Sequence, residues 1–228
     1  DRMKDSLACI ALLTVMLSGC GPDVRIGSKS FTESVILGEI ARLNGSTDST
    51  PVAHLKEIGG TQFLWRGLLR GDIDAYPDYT GTIAEDILSD EALPADEAER
   101  FAAIRKQLES HGVRMTDPLG FNNTYAIGMR KDRAAELGIE TISDLKNHPQ
   151  LRFGFSPEFQ KRSDGWPGLL KFYNLSFGPE STRGVQHTLA FAALDKGDID
   201  AMDLYSTDAE IAEYDLLVLA DDREFFPK

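Results

Sequence analysis

The pentapeptide Gly-Asp-Ile-Asp-Ala occurs twice in this chain, at Gly71–Ala75 and at Gly197–Ala201. Each copy follows a pattern typical of an amphipathic helix, "FLWRGLLR" and "LAFAALDK", and each precedes a Tyr and a Thr, in "YPDYTGT" and "MDLYST". Because glycine commonly ends a helix, the repeat predicts two helix–glycine–strand units of one design. Such connections are also common in α/β proteins, so acidic residues that only solvate a turn are the alternative.

Strand and helix patterns alternate along the whole chain. The predicted strands are Val24–Gly27, Val52–Ile58, Asp72–Tyr76, Tyr125–Met129, Leu151–Phe155, Asp198–Met202 and Leu216–Leu219. A capping box at Ser30–Glu33 predicts a first helix with an apolar face of Val35, Ile36, Ile40 and Leu43, and the next helix is predicted to pack inward through Leu64, Leu68 and Leu69. This order indicates an α/β fold with mainly parallel sheets. Ligands bind beyond the carboxyl ends of parallel strands, so the two repeats are expected to direct side chains into one shared cleft.

The N-terminal segment predicts export. It has Lys4 and an apolar run from Leu7 to Leu17, shorter than the roughly 20 residues that a membrane-spanning helix needs. We interpret residues 1–19 as a signal peptide. The sequence Leu-Ser-Gly-Cys that ends at Cys20 resembles a bacterial lipobox, in which this cysteine is lipidated and anchors the protein to a membrane outside the cytoplasm. An ordinary signal peptide with an incidental cysteine is the alternative.

Charge and motifs exclude several classes of function. The formal net charge of −13 argues against nucleic-acid binding, which needs clustered Lys and Arg. The four histidines have no metal-ligand spacing, and the sequence contains neither a P-loop nor a nucleophile-elbow motif. We therefore predict no metal, no cofactor and no catalysis.

Seven sequence blocks carry a resemblance to a known family. They are "IGSKSFTESVILGEI", "GGT", "GDIDAYPDYTGT", "NNTYAIGM", "SPEFQKRSDGWPGL", "GDIDAMDLYSTD" and "DLLVLADDREFFP", which extend in order from Val24 to Pro227. The chain resembles the substrate-binding proteins of ABC transporters for glycine betaine, choline and related quaternary ammonium compounds. The resemblance implies a two-lobed, type II periplasmic-binding-protein (Venus-flytrap) fold that acts as a monomer and delivers its ligand to a membrane permease. We expect residues 20–118 in the first lobe, 119–220 in the second and 221–228 at the start of a truncated return to the first.

The resemblance also implies an aromatic cage. A trimethylammonium group has no N–H to donate, so aromatic ring faces suit it better than hydrogen-bond acceptors, each contributing roughly 0.5–2 kcal/mol. The family's cage tyrosines match Tyr79, Tyr125 and Tyr205. A fourth tyrosine of the family pattern would follow Lys228, the last residue of this sequence. Without the resemblance, these tyrosines would be read as half-buried strand residues, as Tyr76, Trp65 and Trp166 are read as packing residues.

The opposite end of a betaine is a carboxylate. By resemblance, Arg162 binds it with its planar guanidinium, and Lys29 and Thr82 add donors from the other lobe. Glu158, one helical turn before Arg162, is expected to orient it, although a surface ion pair of the two is the alternative. These donors favour glycine betaine or a similar zwitterion.

Three alternative functions remain open from the sequence. A binding protein for choline or carnitine is the first. A binding protein for an amino acid or polyamine is the second, and it would need a carboxylate such as Asp74 or Asp208 facing the cleft. An enzyme is the third, although Asp72 and Asp74 lack a partner across a cleft. We predict that the aspartates of both repeats are structural.

Overall fold

The computed structural model describes residues 24–89 and 91–226. An N-terminal unit surrounds a two-stranded parallel sheet, which Ala75 extends by a single bridge to Ile26. Its elements are β1 (Val24–Gly27), α1 (Thr32–Gly45), β2 (Val52–Leu55), α2 (Thr61–Arg70), α3 (Thr80–Thr82) with a π-helical turn (Ile83–Ile87), and α4 (Glu97–Ser110).

A C-terminal unit surrounds a five-stranded sheet of order β5-β4-β6-β3-β7. Its elements are β3 (Tyr125–Arg130), α5 (Lys131–Leu137), a 3-10 turn (Ile142–Asn147), β4 (Phe153–Phe155), α6 (Trp166–Tyr173), a second 3-10 turn (Pro179–Ser181), β5 (Thr182–Gly184), α7 (His187–Asp195), β6 (Ala201–Tyr205), α8 (Glu210–Glu213) and β7 (Leu216–Val218). β4 is parallel to β5 and β6, whereas β3 is antiparallel to β6 and β7. The α/β class is confirmed, with β3 interrupting the expected parallel order.

Each unit has its own hydrophobic core. Ile83, Leu88, Ile104 and Leu108 are buried together in the N-terminal unit. The larger C-terminal core is aromatic, and it contains Phe153, Phe155, Phe159, Trp166 and Phe226. Separate cores are typical of two lobes that fold as compact bodies and move relative to each other.

The repeated pentapeptide forms a structural clamp with the same Asp–Arg–Gly contacts in both units. In the first copy Asp74 accepts hydrogen bonds from the backbone N–H of Arg25 (2.7 Å) and from its Nε (3.3 Å), while Arg25 Nη2 donates to the carbonyl of Gly71 (2.7 Å). In the second copy Asp200 accepts from the backbone N–H and Nε of Arg152, both at 3.0 Å. Arg152 Nη2 donates to the carbonyl of Gly197 (2.7 Å). The prediction that these aspartates are structural is therefore confirmed for the second aspartate of each copy.

The glycine and isoleucine of the repeat have matching roles as well. Gly71 and Gly197 have φ angles of 72° and 73°, a left-handed conformation that glycine adopts without strain. The isoleucine side chain packs on a glycine of the neighbouring strand, since a Cβ at Gly154 would lie 2.6 Å from Ile199 Cδ1. The pentapeptide therefore recurs because both units need the same turn, clamp and close approach.

Several predicted elements are wrong in detail. Phe31 is the N-cap of α1 and no side chain caps this helix, because the Glu33 carboxylate instead accepts hydrogen bonds from Tyr79 and Asn123. The strand predicted at Asp72–Tyr76 is reduced to the Ala75 bridge, and the one predicted at Val52–Ile58 ends at Leu55.

The predicted apolar face of α1 is also wrong, whereas that of α2 is right for the buried Leu64 and wrong for Leu69. Helix α1 approaches β2 through Gly38, where a Cβ would lie 2.4 Å from His54 Nε2. Its residues Ile36, Ile40 and Leu43 are consequently exposed, as is Leu69 of α2.

In the described residues no helix combines the length and apolarity that crossing a membrane requires. The same residues contain no group of three or more His, Cys, Asp or Glu side chains placed to hold a metal ion.

We expect Asp200→Ala to lower the free energy of unfolding by about 1–3 kcal/mol, because it leaves the Arg152 backbone N–H and Nε without their acceptor and removes the carboxylate paired with Arg133. Asp198→Ala, which removes the exposed aspartate of the same repeat, is the matched control and should stay within about 0.5 kcal/mol of the parent. Urea unfolding followed by tryptophan fluorescence measures both. Equal destabilisation by the two substitutions would contradict the clamp.

Candidate functional site

A row of four aromatic rings lies where the two units meet. Phe31 of the N-terminal unit lies 6.2 Å from Tyr79, also of that unit, and 4.5 Å from Tyr205 of the C-terminal unit, measured between ring centroids. Tyr205 in turn stacks on Tyr125 at 5.2 Å, with the ring planes 28° apart. The three predicted tyrosines therefore belong to one continuous cluster that spans both units.

Local structure places each ring at this edge. Tyr125 and Tyr205 are directly paired residues of the antiparallel strands β3 and β6, so their side chains extend from the same end of the sheet. Phe31 and Tyr79 are the N-cap residues of α1 and α3, both in extended conformation. Burial raises the pKa of each of the three tyrosines above its ordinary value, so the phenols stay neutral.

Phe31 was missed as a site residue by reasoning from the sequence. It was interpreted as part of a capping box, yet it is buried and makes the closest ring contact across the two units. The available signal was an aromatic residue in the short segment between β1 and α1, inside the block "GSKSFTES".

Lys29 is placed beside the rings and is already paired. Its Nζ donates to Asp78 Oδ1 at 2.6 Å, and both side chains are almost fully buried. The same Nζ lies 5.9 Å from the centroid of the Tyr79 ring. Thr82, the third predicted donor, is half-buried at the end of α3, three residues after Tyr79.

Arg162 lies on the other side of the row, with its guanidinium carbon 5.8 Å from the Tyr125 ring centroid. It donates to both carboxylate oxygens of Asp164, at 2.8 and 2.5 Å, and its Nη1 lies 3.5 Å from Asp86 of the N-terminal unit. Although burial opposes the charge, the Asp164 hydrogen bond raises the pKa of Arg162 above its ordinary value.

Glu158 does not orient Arg162, and that prediction is wrong. Its Oε1 accepts the backbone N–H of Thr61 at 2.5 Å, at the N-terminus of α2 in the opposite unit. The close approach depends on Gly60, since a Cβ there would lie 2.0 Å from Glu158 Oε1. A carboxylate is favourable at this position because unpaired N–H groups point out of a helix N-terminus.

Two further hydrogen bonds join the units around the rings. Thr32 Oγ1 donates to Glu210 Oε1 at 2.8 Å. Asn123 Nδ2, just before β3, donates to Glu33 Oε1 at 2.9 Å. With the Glu158 and Arg162 contacts, they hold the two units together on several sides of the aromatic row.

A buried cluster of charged residues, His187, Asp203 and Asp208, packs against Tyr205. The His187 ring lies 4.7 Å from the Tyr205 ring, its Nε2 is 2.9 Å from Asp208 Oδ2, and its Nδ1 is 3.9 Å from Asp203 Oδ2. Asp208 Oδ2 also accepts the backbone N–H of Tyr205 at 2.7 Å. Burial opposes the imidazolium, but the hydrogen bonds and charges of Asp203 and Asp208 outweigh it and raise the pKa of His187 to about 9.

Several buried polar atoms at this interface have no hydrogen-bond partner in the described part of the chain. They are Thr61 Oγ1, Asp78 Oδ2, Asn123 Oδ1, Arg162 Nη1 and Glu210 Oε2. Because unpaired buried polar groups are costly, such atoms mark a place where a polar ligand is favourable. Cys20, the predicted lipidation site, lies outside the described residues.

Comparison with known proteins gives consistent matches over nearly the whole chain. The family model described as the substrate binding domain of ABC-type glycine betaine transport systems matches residues 22–228. The ergothioneine transport permease/ergothioneine binding protein EgtU of Helicobacter pylori (strain G27) is 37% identical over 89% of this chain and 36% of its own length. The carnitine transport binding protein OpuCC of Listeria monocytogenes serotype 1/2a (strain 10403S) is 32% identical over 92% of this chain and 70% of its own.

A solved structure agrees with these relatives. The crystal structure of a glycine betaine/carnitine/choline ABC transporter protein superposes with a TM-score of 0.63 and 33% identity, covering 90% of this chain and 76% of that one. The predicted two-lobed, type II binding-protein fold is therefore confirmed. The chain spans about a third of the Helicobacter relative and about two thirds of the Listeria one.

The raised pKa of His187 predicts a pH dependence of stability. Its charged form is stabilised in the folded state, so its contribution is fully present below pH 6.5 and is lost as pH rises through about 9. We expect the free energy of unfolding to fall by at least about 1 kcal/mol across this window, and His187→Gln to remove that slope. The control His111→Gln, at an exposed histidine, should keep it. Urea titrations at several pH values measure the slope, and a parent protein with no such slope would contradict the assignment.

Proposed function

Because the chain belongs to the family of substrate-binding domains of ABC-type glycine betaine transport systems, we propose that it captures a zwitterionic quaternary ammonium compound, such as glycine betaine, between its two units. It then delivers this ligand to an ABC transporter permease. The chain is a binding protein and not an enzyme. The relatives that it matches over most of its length are binding proteins as well.

The observation that carries this proposal is the row of rings contributed by both units, with Phe31 and Tyr205 4.5 Å apart. In the proposed site the ligand's trimethylammonium group lies against Tyr79, Tyr125 and Tyr205, and Phe31 adds a fourth apolar wall. The delocalised charge is attracted by the ring faces, while its methyl groups lose contact with water.

Arg162, Lys29 and Thr82 bind the ligand's carboxylate in this proposal. Arg162 Nη1 supports the assignment, because it is buried and lies near the Asp86 carboxylate without making a hydrogen bond to any described residue. The charge of Lys29 is balanced by Asp78. The ligand thus replaces water on donors that the protein has already positioned.

The rival ligand class, amino acids or polyamines, receives no support from the two carboxylates that the sequence suggested for it. Asp74 is paired with Arg25, and Asp208 with His187 and the Tyr205 N–H.

The buried acceptors favour a second set of ligands within the same class. Asp78 Oδ2, Asn123 Oδ1 and Glu210 Oε2 accept no hydrogen bond from the described residues, and glycine betaine has no donor to offer them. Carnitine has a hydroxyl group and ergothioneine has ring N–H groups, and each is named in a relative of this chain. Choline also has a hydroxyl group but lacks the carboxylate that Arg162 would bind.

We propose that residues 20–118 form the first lobe and residues 119–220 the second, and that residues 221–228 begin the return of the chain to the first lobe. Ligand contacts from both lobes favour the closed arrangement, so closure depends on ligand. The family acts outside the cytoplasm. For this chain we propose secretion by residues 1–19, a lipid anchor on Cys20 and a monomeric state.

Titration calorimetry of the mature protein with glycine betaine, carnitine, ergothioneine and choline, with arginine as a control, tests the proposed function. At least one trimethylammonium zwitterion should bind and be recovered unchanged. Binding of arginine without any of the four would contradict the proposal, and binding of choline alone would contradict the preference for a zwitterion.

The Arg162→Ala variant distinguishes binding of the ligand's carboxylate from binding of its trimethylammonium group. We expect it to weaken glycine betaine binding by about tenfold or more, because a charge-assisted hydrogen bond to the carboxylate is lost. Choline affinity should change by less than about threefold. Arg183→Ala, at an exposed arginine of the same unit, should change neither affinity. Equal weakening of both ligands by Arg162→Ala would show that this residue only supports the fold.

A further inference from the structure

Glu33 is an acidic residue in direct contact with the aromatic row. It lies in the first turn of α1, two residues after Phe31, and is half-buried. Its Oε1 accepts a hydrogen bond from the phenol of Tyr79 and another from Asn123 Nδ2 at 2.9 Å. The carboxylate therefore touches a ring of the N-terminal unit and a side chain beside β3.

The charge of Glu33 is not cancelled by its hydrogen-bond partners, since both are neutral. Most other carboxylates near the rings are paired with a cation. Asp78 is paired with Lys29, Asp86 and Asp164 with Arg162, and Asp203 and Asp208 with His187. Glu158 and Glu210 accept from Thr61 and Thr32 at the edge of the interface. Glu33, Glu158 and Glu210 are thus the three carboxylates near the rings that have no salt bridge among the described residues. Glu33 differs from the other two in accepting a hydrogen bond from a tyrosine of the proposed cage.

This hydrogen bond changes the Tyr79 ring. A phenol that donates to a carboxylate is polarised, because negative charge moves from the O–H bond towards the ring. The face of the ring becomes more negative, and a cation over that face is held more strongly. The effect is greater in a half-buried site than in water, since the effective dielectric constant is lower.

Lys29 on its own would disfavour a cation over the Tyr79 ring. Its ammonium lies 5.9 Å from the centroid of the same ring and repels a second cation there. Asp78, 2.6 Å from Lys29 Nζ, neutralises that ammonium and leaves the wall formed by Lys29, Asp78 and Tyr79 without net charge. Glu33 adds one negative charge to this neutral wall.

We propose that Glu33 is a specificity-determining residue, whose carboxylate makes the Tyr79 ring face negative and so selects a positively charged head group over a neutral one of the same shape. The inference rests on the proposed function, because it concerns the same site. Glu33 acts through Tyr79 and is a positioning and charge-setting residue for the ring.

Two ligands of equal shape test this role. Glycine betaine and 3,3-dimethylbutanoate share a carboxylate and differ in having a nitrogen cation or a neutral carbon at the branched centre. In Glu33→Gln, which preserves an acceptor for Tyr79, the affinity for glycine betaine should fall by about tenfold, while that for 3,3-dimethylbutanoate changes by less than about twofold. Choline and 3,3-dimethylbutan-1-ol form a second matched pair with the same expectation.

Glu97→Gln is the control, because Glu97 is also an acidic residue in the first turn of a helix, α4, and is exposed. It should leave both affinities unchanged. Tyr79→Phe provides an independent variant, which removes the phenol and leaves the carboxylate. It should also lower the preference for the charged head, and its effect should not add to that of Glu33→Gln in the double variant.

The outcomes separate this inference from the proposed function. A parent protein that binds none of the trimethylammonium ligands overturns both. A parent that binds them, with a Glu33→Gln variant whose charged-to-neutral preference is unchanged, overturns the role of Glu33 alone. Equal weakening of the charged and neutral ligands assigns Glu33 to folding and overturns the inference as well.

Discussion

Contact between aromatic rings of the two units is the interaction on which the rest of this site depends. Phe31 follows the first strand of one unit and Tyr205 ends a strand of the other, yet their rings lie 4.5 Å apart. A ligand held by ring faces needs such rings on opposite sides, because each face alone contributes only roughly 0.5–2 kcal/mol. The cross-unit contacts of Glu158, Glu210 and Asn123 are arranged around these rings. Binding and closure are therefore expected to be one event.

The repeated pentapeptide explains how one chain presents residues from two sides. Each copy fixes the end of a helix to an arginine of a neighbouring chain segment, Arg25 in β1 or Arg152 just before β4, so the chain leaves each repeat at a defined edge. The residues that follow are free to differ. After the first copy come Asp78 and Tyr79, and after the second come Asp203 and Tyr205. The repeat thus supplies the common structural framework, and the proposed ligand-binding residues are the differing residues that follow each copy.

Periodicity and turn residues were sufficient to predict the strands β1 and β3 and the α/β class. The strand predicted at Asp198–Met202 was displaced, because β6 extends from Ala201 to Tyr205. The resemblance then supplied Tyr79, Tyr125 and Arg162, which the structure brings to the same interface. Reasoning from the sequence failed where a side chain has a choice of partners. Glu33 and Glu158 were assigned to local contacts in the sequence, a capping box and an i,i+4 pair, whereas both reach residues distant in the chain. Local propensity does not include such contacts, because they exist only when the two units meet.

A crystal structure of the complete mature chain with bound glycine betaine tests the central claim most directly. The account predicts the quaternary nitrogen within about 6 Å of the ring centroids of Tyr79, Tyr125 and Tyr205, with the carboxylate on Arg162. A nitrogen held by carboxylates away from these rings, or a ligand bound by one unit alone, would contradict it.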